Sequence, residues 1–510
     1  MGAYWTALTA VVLVVAVLAP REAQAFLYRA PEGSLKDNCV LWHDGTYHLF
    51  TMYRKEQQIA DIGHQWRHMW AATSTDGVHW QDVGPVIEDA PFILFAMRTW
   101  RAGDRFVLNH GSFTDNRQDV LRFWESEDLV HWRYLGPEYD VRRPDGGRID
   151  HMDVIPVEQD GGRAYYGYAV GGLLRSDDAV RWTWVGELPL TDQLDVRIVQ
   201  EPGGCERIGD RYYLLVGGFY PGNFNYAVAT YVSERPEGPF RPDYPAVRLT
   251  GNSGRNVVAL WAGYCRTPDE LLIINYILDP GGCFWWHAPF KTAVVDAAGH
   301  LRMGYWPGNE ALKGAEQAVD AARTQAVSAG AGGALRVDGG RIELESPPAP
   351  SPRWITPGPP NRSLAVLDTA FDVGKGLVLE GTIQVVPGAN ALAFPAAGLY
   401  LEEQGGTGKG ILFQTWGQTE IGTVTAGAEV GFTPEDRVAY GCAAPAGIPQ
   451  SKPCRFRLLF RREIFEIYLD DLLVQTYATE GATGRIGFLS QDGTGAFSDL
   501  RAWDMTLGDR

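Results

Sequence analysis

The 510-residue chain is short of positive charge: 45 Lys and Arg stand against 62 Asp and Glu, a formal net charge of −17. Such a surface repels the phosphates of nucleic acid and the anionic face of a membrane, so neither is expected as a partner. Cysteine is scarce too. Six in so long a chain exclude a disulfide scaffold. There is no C-x-x-C and no H-E-x-x-H, so no zinc site is expected and no other metal or cofactor is implied. Beyond the first 25 residues no run of 18 consecutive apolar residues occurs, which speaks against a later membrane-spanning helix. What is plentiful is turn-forming and aromatic: 60 Gly, 31 Pro, 17 Trp and 22 Tyr. Many turns with many aromatics favour short strands over long helices. At roughly 100–200 residues per domain the length means two domains or three.

Thr6 to Ala19 is an apolar run that ends at Pro20, and Ala23-Gln24-Ala25 follows as an A-x-A cleavage site. Residues 1–25 therefore read as a secretory signal peptide with Phe26 as the mature start, and a secreted or periplasmic protein, off the membrane after leader removal, is expected. The competing reading, an uncleaved anchor, suffers from the shortness of the run. Export permits disulfides. Cys442 and Cys454 bracket an eleven-residue Gly/Pro/Ala-rich loop and form the best candidate pair. Cys39, Cys205, Cys265 and Cys283 lie in or beside apolar strand-like segments and are expected as buried thiols.

Self-similarity organises the first 300 residues. Ser74-Thr75-Asp76-Gly77-Val78-His79-Trp80 recurs as Ser126-Glu127-Asp128-Leu129-Val130-His131-Trp132, again as Ser176-Asp177-Asp178-Ala179-Val180-Arg181-Trp182, and in degenerate form as Ser233 to Phe240. The tryptophans are 52 and 50 residues apart, and Phe240 lies 58 beyond Trp182. A second element precedes each copy, two apolar strands joined by a tight turn such as His43-Asp44-Gly45-Thr46 or Ala102-Gly103-Asp104-Arg105. A period near 50 with several strands per unit predicts propeller blades, at about 30–88, 90–140, 148–190, 198–245 and 254–308. The Ser-x-Asp-x-x-x-Trp copies read as structural, with Ser and Asp closing the turn and Trp packing between blades.

The all-β expectation is thus a five-bladed β-propeller over 26–308, followed by a β-sandwich. Between them, residues 309–360 read as a short Ala-rich helix (Glu310 to Leu312 and Ala315 to Val327) and a Gly- and Pro-rich linker. From 361 to 510 strand patterns return without the 50-residue period, including Phe456 to Phe460, Ile464 to Leu469 and Gly484 to Leu489, which predicts a separate antiparallel β-sandwich.

Polar residues where innermost strands begin converge on one mouth of a propeller. Asp37 precedes its hairpin glycine, Gly45, by eight residues, Asp153 precedes Gly161 by eight, and Glu201 precedes Arg211 by ten. Three acids in one pocket suit glycosidic cleavage: one protonates the leaving oxygen, a second attacks or activates water, and a third tunes them and holds the sugar. Asp37-Asn38 followed by Val40 to Phe50 resembles the first blade of glycoside hydrolase family 32, the invertases and levanases, within the five-bladed grouping that also includes family 43. The resemblance implies Asp37 as nucleophile, Asp153 as transition-state stabiliser, Glu201 as acid-base and a terminal β-sandwich. The family's Asn-Asp-Pro-Asn-Gly is here Lys36-Asp37-Asn38-Cys39, its Arg-Asp-Pro is His151-Met152-Asp153, and its Glu-Cys-Pro is Gln200-Glu201-Pro202. These departures mark a divergent member, for which another furanoside such as an arabinofuranoside is an alternative substrate.

Asp150 is the rival of Asp153, and Glu206 that of Glu201. His151 and Arg98 are candidate hydroxyl ligands. Trp66 and Trp100, with Trp70, Trp261, Trp285 and Trp286, are candidate stacking platforms, set against the packing role most propeller tryptophans have. The expected partner is an oligo- or polysaccharide. Competing readings are a sugar-binding propeller without catalysis, a glycoside phosphorylase and a sialidase-like enzyme. Carboxylates in only three blades favour an enzyme over a lectin with repeated sites.

Overall fold

The computed structural model describes residues 26–55, 66–114, 117–159, 162–191, 201–219, 226–254, 258–278, 285–349, 358–389 and 393–506. The expected leader, the turn at Gly161 and Cys283 lie outside them. The chain is all-β with a propeller-like arrangement. Among the described residues no helix is long and apolar enough to cross a membrane.

Antiparallel meanders of four strands span 34–87, 95–134 and 152–186, and a fourth spans 201–242 with an added strand, Arg248–Gly251. A further meander, 259–305, continues into a thirteen-stranded sheet, joined through the pairing of Gly304 with Leu472. The inner strands are Ser34–His43, Phe95–Ala102, Met152–Gln159, Glu201–Ile208 and Ala259–Arg266. Each lies against the next, and the last lies against the first.

The repeat copies show why the meanders pack in this way. Asp76 Oδ1 accepts the N–H groups of Val78 and His79 at 2.9 and 2.8 Å, and Ser74 Oγ accepts that of Gly77 at 2.8 Å. Asp128 and Asp178 do the same in their copies. The residue after each Asp, Gly77, Leu129 or Ala179, has a left-handed φ of 72°, 65° or 61°, so the turn is held by its side-chain caps even where glycine is missing. The terminal aromatic then reaches the preceding meander. Phe240 meets Tyr168 at 5.9 Å, Trp182 meets Trp100 at 5.8 Å, and Trp132 meets Phe50 at 5.6 Å between ring centroids. Trp80, in the first meander, meets Phe290 of the last at 6.0 Å.

After residue 306 the thirteen-stranded sheet and a seven-stranded sheet enclose a second core that includes Leu379, Ile383, Leu399, Ile411, Phe456 and Phe488. The expected helix is absent. Pro307–Leu312 and Ala321–Arg323 are 3₁₀ turns, and Lys313–Gln317 and Thr324–Ser328 are strands. Pairing with Gly493–Met505 and Arg362–Ala370 overrides the alanine-rich local preference. Cys442 and Cys454 are not bonded. Cys442 bridges to Arg248 of the propeller-like region, while Cys454 is fixed by pairing with Ile383. Sharing one Gly/Pro/Ala-rich loop thus does not make them a pair. Cys39, Cys205 and Cys265 are buried free thiols.

A buried ion pair ties the two regions. Lys291 Nζ and Glu466 Oε1 are 2.5 Å apart with both side chains fully buried. Asn275 Oδ1 and Pro289 O complete the ammonium's bonds, and Tyr468 and Thr476 donate to Glu466. Removing one partner leaves a buried charge alone. Lys291→Met should therefore cost about 3–5 kcal/mol in urea unfolding, and Lys291→Met with Glu466→Leu should recover much of it. A double variant as unstable as the single one would refute this account.

Candidate active site

The starts of the inner strands lie together. His151 Nε2 is 2.8 Å from Pro202 O, and a Cβ on Gly203 would stand 1.8 Å from Ala262 O. Asp37 enters through a β-bulge: Lys36 pairs with Met52 and Asn38 with Thr51, so Asp37 is the extra residue, with a φ of 50°. A bulge re-aims a side chain, and a left-handed non-glycine residue carries strain held by its surroundings. Here Thr51 Oγ1 holds Lys36 O at 3.0 Å, and Tyr276 donates to Asp37 Oδ1 at 2.8 Å. Asn38 Nδ2 lies 3.0 Å from His287 Nδ1. Burial, with Lys291 nearby, lowers His287 to about 3, so the ring is neutral and Nδ1 accepts from the amide.

Glu201 opens the fourth inner strand and pairs with Gly217. A Cβ on Gly217 would stand 1.9 Å from Tyr226 Oη. The glycine thus leaves room for the phenol, which donates to Glu201 Oε2 at 3.0 Å. Arg148 Nη2 reaches Glu201 Oε1 at 3.2 Å and Asp150 Oδ2 at 2.8 Å. Asp150 is almost fully buried, beside Gly111, where a Cβ would stand 2.3 Å from Oδ1. Burial pushes its carboxyl up, but the His151 hydrogen bond and Arg148 outweigh burial and hold it below the usual range. Asp37 with Tyr276, and Glu201 with Arg148 and Asp150, are thus two hydrogen-bonded groups that begin at three inner-strand starts.

Asp153 takes a different donor. Its Oδ2 accepts the Cys205 N–H at 3.1 Å. Burial, only partly offset by Arg98, pushes it up to about 7. Glu206 is held by Arg266 at 2.7 Å, yet burial leaves it above its ordinary value. The arginine bridge thus joins Glu201 to Asp150, and leaves Asp153 and Glu206 as a second pair of acids.

Arg98 is buried with its guanidinium 3.8 Å above the Trp261 ring, which stacks on Tyr276 at 5.6 Å. His151 is buried and spends Nε2 on Pro202 O, so it positions the strand starts. Trp100 is a packing residue: it lies between meanders with Nε1 on Ala179 O at 3.0 Å. Trp66 is buried in the core of the first meander beneath Arg54. Trp70 donates to Tyr28, and Trp286 is buried. The Trp285 side chain lies outside the described residues. Among the described residues no three His, Cys, Asp or Glu side chains group so as to hold a metal ion. Arg148, Tyr226 and Tyr276 are the site residues that sequence reading missed. Only Arg148 carried a signal, two residues before Asp150 and so on the same side of an extended chain.

No family model and no curated protein sequence matches the chain. Solved structures do. A GH32 beta-fructofuranosidase of Bombyx mori superposes with a TM-score of 0.64 at 13% identity, over 96% of this chain and 94% of that one. Sucrose-6-phosphate hydrolase of Lactobacillus gasseri gives 0.63 at 13%, over 95% and 93%. Fructan 1-exohydrolase IIa of Cichorium intybus gives 0.63 at 13%, over 95% and 98%. At these identities the likeness is one of fold.

The raised Asp153 has a consequence for stability. With an unfolded value of about 3.9, the folded protein binds this proton more tightly than the unfolded chain does. The contribution is fully present below about pH 4 and is lost as pH rises through about 7. Asp153→Asn keeps an acceptor for Cys205 and removes the charge. Relative to the native protein its thermal midpoint should rise between about pH 4 and pH 8; midpoints that stay parallel across that range would contradict the assignment.

Proposed function

We propose that the chain is an exported glycoside hydrolase that cleaves a furanoside, on a five-bladed β-propeller followed by a β-sandwich. The observation that carries this reading is the arrangement in which Tyr276 binds Asp37 and Arg148 joins Glu201 to Asp150. The five-blade reading rests on the meander 259–305, whose inner strand lies between the fourth and the first. The similar folds are those of a β-fructofuranosidase, a sucrose-6-phosphate hydrolase and a fructan exohydrolase. That makes a fructofuranoside the first substrate to try and an arabinofuranoside the second.

In this reading Asp37 attacks the anomeric carbon, or activates water if the enzyme inverts. Glu201 protonates the leaving oxygen. Asp150, kept charged by Arg148, takes the stabilising role expected of Asp153, because it shares the arginine with Glu201. An oxocarbenium-like transition state gathers positive charge, which a fixed carboxylate beside the ring stabilises. Tyr276 and Tyr226 orient the two reacting carboxylates, and Arg98 remains a candidate ligand for a sugar hydroxyl.

The test is turnover on chromogenic β-fructofuranosides and α-arabinofuranosides. Asp37→Asn and Glu201→Gln should each lose roughly 10²–10⁴-fold in kcat and remain folded. Asp150→Asn should lose a comparable factor, while Asp153→Asn and Glu206→Gln should stay within about tenfold. Native turnover by Glu201→Gln on a substrate with a poor leaving group, together with loss in Glu206→Gln, would move the acid to Glu206.

A further inference from the structure

Three aromatic side chains stand in a row at one end of the seven-stranded sheet. Phe394 precedes the strand Ala396–Gln404. Trp416 sits in the turn between Thr407–Gln414 and Gln418–Thr425. Tyr440 follows Gly431–Val438. These strands are consecutive neighbours, and the pairings Ala396 with Gln414, Gln414 with Gln418 and Thr419 with Val438 put all three rings at the same end. Trp416 is 58% exposed and Tyr440 86%. The Trp416 and Phe394 ring centroids are 5.0 Å apart.

The rings are mounted rigidly. Trp416 lies in a three-residue hairpin loop closed by Gly417 at φ 76°, a turn geometry that needs glycine. Thr415 N–H bonds Pro395 O at 3.1 Å, which ties the Trp416 turn to the Phe394 segment, and Ile448 N–H bonds Gln414 O at 3.1 Å from beneath. Next to Tyr440, Gly441 O accepts the Arg248 N–H at 2.8 Å. Large apolar faces fixed in place and left in water mark a binding surface.

We infer that Phe394, Trp416 and Tyr440 form a platform for a neutral polysaccharide, an inference that rests on the glycoside hydrolase reading. Thr415 and Gln418 flank Trp416 with uncharged hydrogen-bonding groups, while the Gln414 amide is buried against Glu420 at 3.0 Å. The nearby charges, Glu420 and Arg437, bond one another at 2.9 Å. A net charge of −17 on the chain selects against polyanions and anionic lipid. Three rings present at most a few hundred Å² of contact, well short of the roughly 800 Å² that each partner buries in a standard protein interface. Rings spaced across adjacent strands instead suit successive sugar units, whose C–H faces stack on aromatics while hydroxyls bond Thr415 and Gln418. The platform lies on the C-terminal sheets, outside the carboxylate site. It would hold a polymer against the enzyme without entering the reaction.

The experiment is affinity electrophoresis of the full chain through gels containing inulin, levan or arabinan. It is run on the Asp37→Asn background so that the polymer persists. Trp416→Ala with Tyr440→Ala should weaken retardation roughly tenfold or more. In the Asp37-containing protein the same pair should leave turnover of a small chromogenic furanoside unchanged. Retardation equal in the platform variant and its parent, or no retardation by any neutral polymer, would overturn the platform even if the small furanoside is cleaved. Retardation lost in the variant of a protein that cleaves no furanoside would keep the platform and overturn the hydrolase reading. Sedimentation as a dimer that Trp416→Ala converts to a monomer would make a second copy the occupant and overturn the proposal.

Discussion

The candidate site depends on the seam where the last meander meets the first. Asp37 belongs to the first meander, and the phenol that holds it, Tyr276, belongs to the last. Asn38 likewise finds His287 across the seam. Tyr28 clasps both sides: its backbone exchanges two hydrogen bonds with His287, while its hydroxyl donates to Asp82 and accepts from Trp70. Trp80 packs over the same place against His287 and Phe290. Every other junction brings neighbours in sequence together. This one closes the longest loop in the propeller-like region and so has the largest entropy to overcome. A seam that opened by an ångström would leave Asp37 in a strained backbone conformation without its hydrogen bond.

The C-terminal sheets brace that seam from outside. Lys291, two residues after Pro289 in the last meander, is held by Glu466, and Arg461 donates to Phe26 O at the start of the described chain. Asp436 collects donors from Asn252, Ser253 and Gln475, joining the segment before the fifth inner strand to two strands of the C-terminal sheets. Buried charge of this kind is weak as net stabilisation and strong as a specification of geometry, because a shifted interface strands each charge in an apolar surround. One hydrophobic cluster runs through the junction, from Tyr28 and Trp80 through Trp306 to Leu459 and Trp503. Apolar contact supplies the adhesion there, and the ion pair fixes the register.

The repeat was legible because its physics is local. Ser and Asp cap a turn within five residues, and the aromatic that follows repeats at the period of a meander. Asp37 and Glu201 were legible as acids at strand starts. The count from each hairpin turn survives in the ladder: Lys36 beside Asp37, Asp153 and Glu201 sit on the same rung, opposite Met52, Tyr168 and Gly217, and the bulges in the first and fourth inner strands only lengthen the interval in sequence. What a count along strands could not show is the acid that shares an arginine with Glu201, Asp150, because it lies in the segment just before the third inner strand. Trp100 could not be told from a sugar platform by residue type, since both uses need an indole; its neighbour Trp182 decides the matter. The alanine-rich stretch after 313 and the Cys442–Cys454 pair misled for one reason. Each was judged from its own segment, and each is governed by a strand or residue more than 35 positions away.

Two sets of carboxylates within one ring illustrate how environment sorts chemically equal groups. Asp150 is the more deeply buried, yet it stays below the usual carboxylate range because the His151 hydrogen bond and Arg148 compensate the lost hydration. Burial of Asp153 outweighs the opposing pull of Arg98 and of the Cys205 and Val154 backbone donors. A charged acid at the mouth and a protonatable one beside it follow from where the cations are placed, not from which acids the sequence contains. The same logic explains why an arginine is useful between Asp150 and Glu201. Arg148 bonds both carboxylates, so one cation offsets their mutual repulsion, and Tyr226 donates to the more exposed of the two, Glu201.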